Sequence, residues 1–139
     1  MSGFVECVNH YYTEYDYNCS ETIVHAANEY YGLGITEDDM RMFAGFGGGM
    51  FSGLVCGALA ASVAVLSKIA VKDKAGKAGR DVRPIISDLV RTFRKELNGV
   101  DCAELKAQHF NKEDHCLETV LLSAKVLEGC IDKVKKGMA

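Results

Sequence analysis

From Met42 to Ser67 the chain carries no aspartate, glutamate, lysine or arginine, and this stretch limits every fold it can adopt. A charge-free run of that length has to be covered, by protein or by lipid. Its first part, Gly45-Phe46-Gly47-Gly48-Gly49, reads as a loop, and from about Met50 to Val71 one long apolar helix is expected. Much of that helix is Gly, Ala and Ser, which gain little from lipid. No aromatic belt closes its far side and no second span follows. A buried helix of a soluble domain is therefore expected, with no membrane role. Gly49, Gly53 and Gly57, spaced four apart, give it a face that another backbone can approach closely. A second copy in a homodimer is one candidate for that backbone.

The remaining sequence supplies helices to cover it. Residues 3–17 read as a short helix. Asn18 or Ser20 caps the next, which runs to Tyr31 with Ile23, Val24, Ala27 and Tyr30 on one face and stops at Gly32. Thr36 followed by Glu37, Asp38 and Asp39 starts a brief helix. Lys72 to Asp81 reads as a solvated connector. From Arg83 to Leu97, apolar residues recur at spacings of three and four, giving an amphipathic helix with Gly99 after its end. Asp101 caps a short turn, and Lys112 to Lys136 forms the long last helix, with lysines in its final turn. The expectation is one all-α domain over 1–139, an irregular bundle of about four principal helices plus short ones.

A formal net charge of −3 offers no broad attraction for nucleic acid. Tyr11, Tyr12, Tyr15 and Tyr17 lack the interleaved basic residues of a base-stacking surface. The glycine run lacks a following Gly-Lys-Ser/Thr, so it is no phosphate loop. The N-terminus has no positive segment leading into an apolar one, so a cytoplasmic, reducing location is expected. Structural disulfides are uncommon there, which turns attention to what the six cysteines do instead.

Four of the six stand beside helix-start or glycine signals. Cys19 lies in Asn18-Cys19-Ser20-Glu21, Cys102 follows Asp101, and Cys116 follows Asp114-His115. A helix N-terminus offers free N–H groups and partial positive charge, which favour thiolate. Cys56 has Gly53 and Gly57 close on either side, so a cofactor could come near it. Cys116 and Cys130 would lie about 21 Å apart along one helix and cannot share a site. Cys130 therefore reads as a packing thiol, and Cys7 has no motif around it. Cys102 and Cys116 are separated by Gln108-His109-Phe110-Asn111, which breaks the helix and lets the chain fold back. His109 and His115 read first as loop histidines and second as donors to the sulfurs or alternative ligands.

The order and surroundings of these four cysteines resemble the family of redox-active proteins named for a C-GCAxxG-C-C pattern. The likeness runs through Asn18-Cys19-Ser20-Glu21, the glycine run before Cys56-Gly57-Ala58-Leu59-Ala60-Ala61, Cys102-Ala103-Glu104-Leu105, and Cys116. The sequence departs from the pattern at Ala61, where the family has glycine, and has Val55 before Cys56. The resemblance implies a helical, cysteine-based redox module of bacteria and archaea. No Cys-x-x-Cys-His is present, so attached haem is not expected. The leading expectation is an iron–sulfur cluster held by Cys19, Cys56, Cys102 and Cys116, exchanging electrons with a separate redox partner protein. The alternatives are a metal-free thiol–disulfide protein, with Cys102 and Cys116 as the first pair to test, and a structural zinc site. Zinc is disfavoured because no two of the four cysteines are close in sequence.

Overall fold

Capping residues set most of the helix boundaries. In the computed structural model, which describes residues 1–75 and 81–138, α1 spans Gly3–Glu14, α2 Cys19–Tyr31, α3 Glu37–Met40, α4 Gly57–Ala70, α5 Arg83–Leu97, α6 Cys102–His109 and α7 Leu117–Met138. A 3₁₀ segment, Arg41–Phe46, continues from α3. Ser2 caps α1 by accepting the Val5 N–H at 3.3 Å. At α2 the Asn18 side chain accepts the Glu21 N–H, and the Glu21 carboxylate accepts the Asn18 N–H, both at 3.0 Å. Gly32, in the left-handed region at φ 63°, ends that helix as expected. Pro84 sits in the first turn of α5, and Asn98 at φ 61° closes it.

The fold is all-α, as the apolar spacing predicts; the described residues include no strand and only two isolated antiparallel bridges, Val55–Asp101 and Asn111–His115. The last helix is the hub. α7 packs on α1, α4 and α5, while α2 packs on α1 and α4. Phe4, Ile23, Leu66, Phe93, Leu127 and Ile131 are fully buried in the shared core. Burying each such side chain contributes roughly 2 kcal/mol of transfer free energy. Expected to be short, α1 is a 12-residue member of the bundle.

One expectation is corrected. The apolar helix does not begin at Met50. It begins at Gly57, because Gly48, Gly49, Met50 and Phe51 all take left-handed backbone angles, with φ of 63°, 63°, 61° and 52°. Right-handed helix is impossible through such a run. Ala58, Ala61 and Ser62, on the small-residue side of α4, are wholly buried within the chain. No described helix is long and apolar enough to cross a membrane. The connector expected over 72–81 falls partly on residues 76–80, outside the described residues.

Candidate functional site

Moving the start of α4 changes the meaning of Cys56, which becomes the N-cap of that helix. Cys19 is the first residue of α2, Cys102 the first of α6, and Cys116 immediately precedes α7. Four helices thus begin at four cysteines. All four line one cavity of about 250 Å³, with Tyr12, Asn18, Phe51, Leu105, Lys106 and Thr119 in the same wall. The positive ends of four helix dipoles are gathered around this space, an environment that favours anionic sulfur.

Backbone pairing explains how distant segments meet. The Cys56 N–H donates to the Val100 carbonyl at 2.8 Å, and the Cys102 N–H donates to the Leu54 carbonyl at 2.6 Å. This antiparallel exchange, across the Val55–Asp101 bridge, ties the segment that carries Cys56 to the one that carries Cys102. The left-handed turn before it brings the chain round tightly enough for the pairing. At Gly57 a Cβ would stand 2.6 Å from the Phe46 carbonyl oxygen and 2.7 Å from the Cys19 sulfur, so only glycine fits between them.

Cys116 is presented by a second tight turn. Asn111 and His115 exchange backbone hydrogen bonds at 3.2 and 2.8 Å. The Asn111 side chain accepts the N–H groups of Glu113 and Asp114. His115 adopts φ 56° and redirects the chain into Cys116. The Cys116 N–H then donates to the Tyr12 hydroxyl at 3.1 Å. The break after His109 does bring Cys102 and Cys116 to one cavity.

The thiols differ in proton affinity. Cys19 is lowered to about 6, first by the hydrogen bond from the Cys56 thiol; burial opposes this, and the N–H groups of Gly48, Ser20 and Ala58 assist it. Cys56 is raised, first because it donates that hydrogen bond and then by burial. The two therefore share one proton, with the negative charge on Cys19. Of the four thiols, Cys19 and Cys56 are the pair that shift each other's proton affinity most strongly. Burial raises Cys102 and Cys116, and the Lys106 ammonium pulls both back. Thr119 and Leu105 add no charge.

The other two cysteines stand apart. Cys130 is buried on α7, with Asp88 4.0 Å from its sulfur, and burial raises its thiol. Cys7 donates to the Glu29 carboxylate at 2.9 Å and is raised to about 12, by burial first and then by that carboxylate. His109 serves the scaffold: its ring nitrogens lie 2.9 Å from the Leu97 carbonyl and 3.1 Å from Glu118, tying α6 to α5 and α7. Neither His109 nor His115 lines the cavity. Sequence spacing missed Tyr12, Phe51 and Lys106. Lys106 alone left a trace, being one helical turn beyond Cys102 on α6.

Among the described residues no three thiol, imidazole or carboxylate groups are gathered tightly enough to hold a single metal ion. The four sulfurs instead stand around a cavity. That arrangement, with four sulfur donors and N–H-rich helix starts around about 250 Å³ of space, fits a group several atoms across.

The family model described as "Putative redox-active protein (C_GCAxxG_C_C)" matches residues 17–130, and the chain belongs to that family. No curated protein and no solved structure matches it.

Proposed function

We propose that this redox-family protein holds an iron–sulfur cluster through Cys19, Cys56, Cys102 and Cys116 and passes single electrons to and from a partner protein. The observation that carries the reading is the convergence of four helix N-termini, each with a cysteine, on one cavity. A bound cluster would supply a one-electron couple. The chain's own residues would do the rest. Cys19 offers a ready thiolate, while Cys56, Cys102 and Cys116 give up protons when a cation binds, since ligation requires deprotonated sulfur. Lys106, which lines the cavity, and the helix-start N–H groups would favour the added negative charge of a reduced group held there. The cavity has room for a group larger than one ion, which favours a cluster over zinc.

Anaerobic reconstitution with iron and sulfide tests this. The expected product is brown, with broad visible absorption and comparable iron and acid-labile sulfide. Colourless protein free of both would end the reading.

The Cys19–Cys56 contact supports a second reading, a dithiol that closes to a disulfide. The Cys19 thiolate would attack an external disulfide, and Cys56 would lose its proton to resolve the mixed disulfide. Two electrons and the pair's one proton leave it, and the external disulfide is reduced to one thiol and one thiolate. Oxidised glutathione applied to metal-free protein should then yield a Cys19–Cys56 linked peptide. Recovery of both cysteines reduced would rule it out.

A further inference from the structure

We propose that Tyr12 is a positioning residue of the cysteine pocket, fixing Cys116 through its hydroxyl and aiming that hydroxyl's proton at the sulfurs. The inference rests on the redox reading above and extends the site to α1, which precedes the residues matched by the family model. A helix start leaves N–H groups without intrahelical acceptors, and the Cys116 N–H at the entry to α7 is one of them. Tyr12, 104 residues earlier in the chain, accepts it at 3.1 Å.

A phenol has two acceptor lone pairs and one donor proton. With the hydroxyl already accepting the Cys116 N–H, its proton remains to be given, and the ring lines the cavity that the four sulfurs share. Tyr11, the next residue back, points elsewhere and bonds Glu29 at 3.2 Å. The adjacent tyrosines are therefore divided between two thiol environments, one acidic and one in the cavity. An O–H donor beside sulfur stabilises the more reduced, more negative state of a sulfur-ligated centre. Tyr12 would thus raise the potential of whatever the pocket holds, acting through Cys116.

The test compares Tyr12→Phe with the full wild-type chain, and uses Tyr11→Phe as the control. The phenylalanine keeps the ring packing and removes only the hydroxyl. In the metal-free protein, Cys116 amide exchange should quicken roughly five- to tenfold, the worth of one hydrogen bond, while the Cys19 and Cys56 amides stay unchanged. After reconstitution with iron and sulfide, the variant's midpoint potential should be more negative than wild type, and that of Tyr11→Phe should not move. Unchanged Cys116 exchange overturns the positioning role, and equal midpoint potentials overturn the redox role. If neither protein takes up iron, the cluster reading fails by itself. The exchange measurement then still decides whether Tyr12 holds Cys116.

Discussion

Cys7 on α1 and Cys19 at the start of α2 are both half-buried, yet they sit in opposite chemical settings. Cys7 faces the Glu29 carboxylate, which holds its proton in place. Cys19 faces the Cys56 thiol and a set of backbone N–H groups, which release its proton. Burial raises both thiols, so it does not separate them. What separates them is whether the neighbouring group is an anion or a donor. The same division runs through the molecule: four cysteines at helix starts share one cavity, while the remaining two lie beside carboxylates on helix flanks.

The largest expected effect is in thiol reactivity. At pH 7 a far larger fraction of Cys19 than of Cys7 is thiolate, because the Cys19 thiol is lowered and the Cys7 thiol raised. The lower intrinsic nucleophilicity of a low-pKa sulfur offsets part of this, leaving Cys19 about two orders of magnitude faster. Site-resolved alkylation of metal-free protein should show this ratio, with the Cys19 rate levelling off above about pH 6. Comparable rates at the two cysteines would break the comparison.

Two glycine substitutions should then differ in sign. Gly57→Ala forces a methyl group against the Phe46 carbonyl and the Cys19 sulfur, and should cost about 2 kcal/mol while slowing Cys19 alkylation. Gly129 is exposed on α7, and a methyl group added there would meet nothing within 4 Å. Gly129→Ala should therefore stabilise by about 0.5–1 kcal/mol. Thermal melts of both variants check the pair, and a neutral Gly57→Ala would show that the cavity wall is looser than described.

The smallest effect is expected at Glu29→Gln. The amide removes the negative charge beside Cys7 and leaves burial, the larger cause, in place. The Cys7 thiol should titrate lower, and its alkylation at pH 9 should rise by up to about tenfold. Cys19 should not respond. A matching rise at Cys19 would mean that the two environments are coupled.

The sequence made some of this legible and hid the rest for definite reasons. α2 and α5 are readable because their ends are written in local chemistry: Asn18 and Glu21 at one, Asn98 and Gly99 at the other. The four site cysteines could be chosen for the same reason, three of them standing at cap signals. The start of α4 was hidden because Met50 and Phe51 look like helix residues, and nothing local announces left-handed backbone at bulky side chains. That error also concealed Cys56 as an N-cap. The Cys19–Cys56 contact and the Tyr12–Cys116 hydrogen bond join residues far apart in the chain, and periodicity carries no information about such pairs.

The central claim is that the redox site is four cysteines and not six. Six single serine variants, reconstituted anaerobically with iron and sulfide and assayed for bound iron, test it most directly. Cys19→Ser, Cys56→Ser, Cys102→Ser and Cys116→Ser should each lose most of the iron and visible absorption, whereas Cys7→Ser and Cys130→Ser should keep both. Full iron retention in any of the first four, or its loss from either of the last two, would contradict the account.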